Sequence, residues 1–283
     1  MLQMKKIHLI LFIALFVNLT NAQVDNNATL NYTFYNRSSS DNFHHVDQSN
    51  IDFNYFLQSR KILKKIRWDN SMGYKTIFLD GSLQPNLQDL FYNANFVYTK
   101  NMKNFMLFNA RVNLRTEIEN NISGSSIFPA FSFGYMRQSQ TNKSIRWGIG
   151  INYNNDFNKN TVIPFGLFNY ETAKIKFNAT LPNSILFLVK QKSTFYYGIN
   201  ATLNAGIFGL QNEPADYLKM INANLFGFVQ TKIHNKIWVD LKPGFTIYRT
   251  IEGLDQDFNA FSKTSENKLS NNFVMNVGLM YRM

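Results

Sequence analysis

The sequence contains no cysteine. This absence excludes a disulfide framework, a lipid-modified N-terminal cysteine, thiolate catalysis and a cysteine-ligated metal. Long hydrophobic runs are also missing after the N-terminus, because no later segment approaches the roughly 18 uninterrupted apolar residues of a membrane-spanning helix. Acidic residues are fewer than basic ones, 18 against 29. No nucleic-acid-binding motif accompanies this positive charge, so nucleic acid is not an expected partner; basic residues that line a pore or face lipopolysaccharide explain it better.

The N-terminal residues have the pattern of a cleaved secretory signal peptide. Lys5 and Lys6 form a basic start, an apolar run follows over residues 7–17, and residues 20–22 supply a small-residue cleavage site. The apolar run is too short to cross roughly 30 Å of hydrocarbon. We therefore predict a signal peptide over residues 1–22 and a single exported domain over residues 23–283.

Aromatic residues make up 16% of the chain, and many of them recur at every second position. In the clearest segment, Met106, Phe108 and Val112 share one face, whereas Arg111 and Asn113 share the other. Strands of a membrane barrel alternate in this way, with the apolar face toward lipid and the polar face toward the lumen. A soluble β-sandwich also alternates, but its outward face would carry Lys, Glu and Thr. Here Asn, Gly and Arg dominate the polar face, which favours the membrane barrel.

Fourteen alternating segments follow one another, separated by connections that are alternately long and short. This alternation is typical of an antiparallel barrel with both termini in the periplasm. The long connections, which we expect to be outer loops, are residues 37–49, 79–90, 118–125, 205–218 and 250–270. Two further outer connections, 157–160 and 182–183, are short, so a barrel of twelve strands is the alternative. The sequence thus predicts an all-β fold: a transmembrane, antiparallel, up-and-down barrel of about 14 strands in the outer membrane.

The last segment, residues 271–283, is expected to close the barrel by pairing with the first. An open edge in lipid would leave backbone groups unsatisfied. With Tyr281 and Met283 on its outward face, this segment resembles the C-terminal signal by which outer-membrane barrels are passed to the barrel-assembly machinery. The usual final residue of that signal is Phe, so Met283 departs from it.

Four stretches in the middle of the chain carry a family resemblance: PAFSFGY (129–135), WGIGINYNNDF (147–157), IPFGLFNY (163–170) and NATLPNS (178–184). They resemble an uncharacterised family of outer-membrane β-barrel proteins from Bacteroidota-type bacteria. The resemblance implies a barrel in the outer membrane of a Gram-negative cell. It brings no established activity and no catalytic residues.

Alternation also predicts which charged residues face the lumen. Nine basic residues are expected inside: Arg67, Lys75, Arg111, Arg115, Arg146, Lys174, Lys176, Lys242 and Arg282. Five acidic residues are expected there: Asp52, Asp69, Glu117, Asp156 and Asp240. The basic excess favours a porin-like passive pore or a binding barrel for small polar or anionic solutes. We predict these lumen-lining residues: Arg111, Arg115, Arg146, Asn152, Lys174, Lys176, Asn200 and Lys242. The alternative is a structural barrel whose lumen is filled by salt bridges and asparagines.

Catalytic or metal chemistry has weak support. His44 and His45 are adjacent in the first outer loop but bring no further ligand, and His234 lies in a short turn. Loop carboxylates could meet a histidine at the rim, as a membrane hydrolase would need, although their spacing does not demand it: Glu213, Asp216, Asp255 and Asp257. We expect no enzyme activity, no metal and no cofactor. The expected partners are outer-membrane lipid, lipopolysaccharide, the assembly machinery and a small polar or anionic solute.

Overall fold

The computed structural model of the chain describes residues 28–38, 46–81, 86–101, 103–118, 126–157, 160–210, 215–260 and 266–282. The predicted signal peptide lies outside the described residues and stays a prediction. No helix in the described part of the chain is long and apolar enough to span a membrane.

The described residues form fifteen β-strands. Their bounds are β1 (Ala28–Ser38), β2 (Val46–Leu63), β3 (Ile66–Gly81), β4 (Leu87–Asn101), β5 (Asn104–Glu117), β6 (Ile127–Gln138), β7 (Ile145–Asn154), β8 (Thr161–Glu171), β9 (Ile175–Leu181), β10 (Ser184–Lys192), β11 (Phe195–Gly209), β12 (Tyr217–His234), β13 (Ile237–Leu254), β14 (Glu266–Lys268) and β15 (Phe273–Tyr281).

Fourteen of these strands form a closed antiparallel barrel. Each pairs with its neighbours in the chain, and β15 pairs with both β13 and β1. The closing seam runs from Ala28 opposite Tyr281 to Tyr35 opposite Val274. The short β14 only extends the outer end of β13. The predicted 14-stranded barrel, closed by its last strand against its first, is therefore confirmed, and the twelve-stranded alternative is wrong.

The two faces of the barrel wall differ in chemistry, as the alternation predicts. Apolar side chains stand outward and exposed; Ile149 and Phe245 are each 65% exposed, and Ile199 is 54% exposed. Successive side chains of a strand point to opposite faces, so their sequence neighbours point inward. Inside, glycines make room for large residues: a Cβ at Gly150 would lie 2.3 Å from the ring of Phe165.

One end of the barrel carries short turns together with the start of β1 and the end of β15, and the other end carries the longer connections. Several strands extend further into this second end, called the outer end below, than the sequence predicted. The predicted loops 205–218 and 250–270 are wrong at their edges, because β11 continues to Gly209, β12 begins at Tyr217 and β13 continues to Leu254. By contrast, β9 and β10 have only 7 and 9 residues. The barrel wall is therefore uneven in height, which shapes the site.

Candidate binding cavity in the barrel lumen

The inner faces of the strands enclose a cavity of about 500 Å³. Asparagine is the most frequent residue in its lining, and its charged residues come from strands around the ring: Asp52, Lys75, Asp89, Arg111, Arg115, Asp156 and Lys242. Small-molecule sites in proteins have volumes of about 300–1,000 Å³. The cavity therefore has the size of a small-solute site and an unusually polar lining.

Strand register places charges of alternating sign side by side across four strands. Asp52 of β2 is opposite Lys75 of β3, Lys75 is opposite Asp89 of β4, and Asp89 is opposite Arg115 of β5. The Lys75 Nζ lies 3.9 Å from an Asp52 carboxylate oxygen. Opposite charges on directly paired positions attract across an antiparallel ladder. This row stabilises the wall of the cavity on one side.

Arg115 is the most heavily engaged cation of the cavity. Its Nε lies 3.1 Å from an oxygen of Asp89, and its Nη1 lies 2.6 Å from an oxygen of Asp156. The residue is only 3% exposed. A buried cation held by two carboxylates is fixed in position, so Arg115 serves structure and has little freedom to contact a solute.

Arg111 is differently placed. Its Nε donates a hydrogen bond of 2.6 Å to Asn113, and its guanidinium carbon lies 4.2 Å from the centroid of the Phe91 ring. Among the described residues, no carboxylate lies within 4.0 Å of it, whereas Lys75 and Lys242 each have one and Arg115 has two. Arg111 is thus the cavity cation best placed to bind the anionic group of a solute.

The net charge of the cavity does not by itself favour anionic solutes. Lys242 pairs with Asp240 at 2.6 Å, behind the cavity surface. When Asp240 is included, four basic and four acidic side chains stand in or beside the cavity. The excess of basic residues expected over the whole lumen is therefore not found around the cavity. Any anion preference arises locally, because two carboxylates converge on Arg115 and leave Arg111 without one.

Apolar side chains meet across the outer end of the lumen. Eight buried residues from opposite arcs of the barrel and from the last loop form one cluster, which we call the roof: Ile77, Leu79, Leu87, Phe208, Leu218, Met220, Ile251 and Leu269. Gly209 of β11 also pairs in parallel with Thr116 of β5. The long β11–β13 segment thus bends across the mouth and packs on β3–β5. Leu269 shows that part of the predicted 250–270 loop packs inward.

A buried polar contact supports the roof from below. Arg249, 1% exposed, donates a hydrogen bond to Gln48, and its guanidinium carbon lies 5.0 Å from the centroid of the Tyr35 ring. The Asn224 side chain donates a hydrogen bond of 3.3 Å to the Tyr35 hydroxyl. These contacts join β13 and β12 to β1 and β2, across the closing seam, so the roof is tied to the barrel by polar as well as apolar contacts.

The structure divides the predicted lumen-lining residues into two groups. Arg111, Arg115, Asn152, Asn200 and Lys242 line the cavity. The remaining three do not line it and lie toward the short-turn end: Arg146, Lys174 and Lys176. Lys174 is in the turn before β9 and is exposed, as is Arg146.

Asp89 was missed by sequence reasoning. The predicted loop 79–90 included it, whereas β4 begins at Leu87. The local sequence gave no clear signal, because apolar and polar residues of the stretch 87–91 fall on both faces.

The rim shows no assembled catalytic group in the described part of the chain. Asp255 accepts hydrogen bonds from the backbone amides of Asp257 and Asn259, both at 2.9 Å, and so stabilises a turn. Asp216 accepts one from Gln256. His234 is the last residue of β12, next to the β12–β13 turn at the other end, and His44, His45 and Glu213 lie outside the described residues. No cluster of three potential metal ligands occurs within the described ranges.

A family model described as "Domain of unknown function (DUF6268)" matches residues 87–282, more than half of the chain. The chain belongs to the DUF6268 family. The match begins where β4 begins and includes every later barrel strand. A search of curated proteins returned no match.

Solved structures similar to this DUF6268 protein are outer-membrane barrels. An outer membrane channel from Pseudomonas putida F1 is 9% identical, with a TM-score of 0.50, over 93% of this chain and 97% of that chain. The TodX monoaromatic hydrocarbon channel (deltaS2 mutant) is 8% identical, with a TM-score of 0.44, over 94% and 92%. The NanC porin is 11% identical, with a TM-score of 0.37, over 90% and 100%. At such identities the likeness shows the fold alone.

Proposed function

We propose that this DUF6268 protein is a non-enzymatic outer-membrane barrel that takes up small polar solutes, preferentially anionic ones, into its luminal cavity. The observation that carries the proposal is Arg111, a cation in a polar cavity of about 500 Å³ with no carboxylate within 4.0 Å among the described residues. An exposed apolar outer face and the fold of an outer-membrane channel support the location in the membrane.

The cysteine-free chain offers a direct test of the anion preference. Ser132 lines the cavity, and Ser132→Cys creates a single thiol there. We expect this thiol to react faster with the anionic reagent sulfonatoethyl methanethiosulfonate than with its cationic trimethylammonioethyl analogue. Arg111→Gln should reduce the ratio of the two rates by about tenfold, because a full charge acts over a few ångströms in a medium of reduced dielectric. An unchanged ratio would contradict the proposal.

A structural barrel with a filled lumen is the second candidate, and the roof favours it. The roof brings apolar side chains from opposite arcs of the barrel together at its outer end. Planar-bilayer recording separates the two candidates: stable conductance steps support passage of solutes, and their absence leaves a binding or structural role. Thiol modification at position 132 then decides between those two roles, because a filled lumen would protect the thiol from both reagents.

The remaining partners follow from the same location in the membrane. Outer-membrane lipid would surround the apolar belt, and lipopolysaccharide would surround its outer rim. The barrel-assembly machinery would receive β15 during insertion, after the signal peptide over residues 1–22 has been cleaved. Pulse-labelled export in cells depleted of the assembly machinery tests this route, which predicts accumulation of the processed but unfolded chain.

A further inference from the structure

The barrel wall has a gap above the β9–β10 turn. The last residue of β11 that pairs with β10 is Thr202, and the Leu203 amide donates a hydrogen bond of 2.7 Å to the Asn183 carbonyl of the turn. Residues 204–208 pair with no strand on that side. On the other flank, the last residue of β8 that pairs with β9 is Gly166, so residues 162–165 lie outside the β8–β9 ladder. The turn residues Pro182 and Asn183 form the lower edge of this gap, which we call the side window.

The cavity extends to the side window. Its lining includes Pro182 and Asn183 from the turn, Asn204 and Ala205 from the unpaired part of β11, and Phe165 from the unpaired part of β8. Pro182, Asn183 and Asn204 are exposed. Asn204 belongs to the inward-facing set of β11, and it is exposed where the neighbouring strand β10 is absent.

The upper edge of the side window is the roof. Gly209 of β11 pairs with Thr116 of β5 directly above the unpaired stretch. A second buried cluster closes the same region: Phe128, Ile207, Tyr217 and Leu254. Within the described ranges, the cavity is therefore bounded above by apolar packing and reaches the exterior at the side.

Polarity changes from the side window to the far wall of the cavity. Near the window, the lining includes Ile163, Phe165 and Leu203, whereas Arg111 and Lys75 come from β5 and β3, which do not flank the window. A solute with an apolar part and an anionic part would match both ends, because apolar burial and charge pairing would then act at separate places.

We infer that solutes enter the cavity sideways, through the side window, and that the preferred class is a small anion with an apolar group. The inference rests on the function proposed above for the same cavity. The roof stays closed during entry, and the apolar group of the solute lies against Ile163 and Phe165 while its anionic group approaches Arg111.

The route is tested with two matched substitutions in the Ser132→Cys chain. Asn204→Trp fills the lumen behind the side window, and Asn178→Trp adds the same side chain on the inward face of β9, away from the cavity lining. Asn204→Trp should slow modification by both methanethiosulfonate reagents by about tenfold or more. A small increase in the activation free energy of entry is enough to slow the rate about tenfold. Asn178→Trp should change the rates by less than about twofold.

The opposite pattern would overturn the lateral route, because a dominant effect of Asn178→Trp means entry from the short-turn end. Equal rates in both variants would overturn it as well. Asn183→Trp, in the exposed turn, replaces Asn204→Trp if the latter does not give a folded, heat-modifiable band. The charge preference is measured as a ratio of rates and the route as a slowing of both rates, so the two proposals can fail separately.

A disulfide across the roof tests entry through the mouth. Thr116→Cys and Gly209→Cys, combined in one chain, place two thiols on directly paired residues. The oxidised and reduced forms should bind benzenesulfonate with the same affinity in calorimetry, because the roof need not open. Loss of binding on oxidation would show that solutes pass through the mouth.

The solute class is tested with two sulfonates of equal charge. Benzenesulfonate should bind at least about tenfold more tightly than methanesulfonate, since the ring buries apolar surface that the methyl group lacks. Ile163→Ser should reduce this difference, and Arg111→Gln should weaken both ligands. Equal affinities of the two sulfonates in the unsubstituted protein would rule out the amphiphilic class.

Discussion

Thr116 of β5 and Gly209 of β11 are register partners in a parallel pairing that joins two arcs of the barrel across its outer mouth. All other strand pairings of the described residues are antiparallel. This contact holds the long β11–β13 segment over the lumen, where apolar side chains from both arcs meet. The side-entry route proposed above depends on this contact, because it keeps the roof in place over the cavity.

The roof should contribute measurably to stability. Leu87 is fully buried in it, and Leu90, on the same strand, is 45% exposed on the outer face. Leu87→Ala should lower the free energy of unfolding by about 2–4 kcal/mol because it leaves a cavity. Leu90→Ala should cost clearly less. Urea titration of the protein in lipid vesicles measures both, and equal losses would show that the roof is loosely packed.

The outer face should not tolerate charge. Ile149→Arg places a guanidinium in the middle of the exposed apolar belt and should cost about 2–4 kcal/mol, blocking insertion if this belt faces lipid. Asn178→Arg is the matched control, because its side chain faces the wet lumen. The heat-modifiable band of the folded barrel reports the outcome. A normal band for Ile149→Arg would show that the outer face is not in lipid.

The buried ion triad should be far more sensitive than an exposed ion pair. Arg115→Met leaves Asp89 and Asp156 without their cation, and we expect a loss of about 3–5 kcal/mol in the free energy of unfolding. Arg67 lies 3.0 Å from Asp69, with 55% of its own side chain exposed. Arg67→Met should cost about 1 kcal/mol or less, because water screens the pair. Similar losses for the two variants would mean that the triad contributes no special stability.

The two ends of the barrel should lie on opposite sides of the membrane. Asn259 is exposed at the long-loop end, and His234 is exposed at the end of β12, next to the β12–β13 turn. A membrane-impermeant maleimide should label Asn259→Cys on intact cells, and His234→Cys only after the outer membrane is breached. Labelling of His234→Cys on intact cells would invert the proposed topology.

Local alternation was enough to predict the barrel, because side chains of a strand alternate between two faces whatever the strand packs against. In the segment Met106–Leu114, apolar and polar residues alternate, and this alternation predicts which residues face outward and which face inward. The strand count and the seam between β1 and β15 follow from the same pattern, since a barrel in lipid cannot leave an edge unpaired. Strand ends were predicted less well. Asp89 was assigned to a loop, and β11–β13 were made too short, because polar residues near a strand end resemble a loop.

The arrangement of the binding cavity could be found only from the tertiary structure. Arg115 and Asp156 are 41 positions apart, and nothing local indicates that they meet at 2.6 Å. That contact leaves Arg111 as the cation without a carboxylate, which is the basis of the proposed function. The roof and the side window likewise depend on which strands stand taller than their neighbours around the ring. Sequence therefore determined the two faces of every strand, because those depend on chain geometry alone. Contacts across the lumen were decided only by closure of the ring, which sets the distances between strands that are remote in sequence.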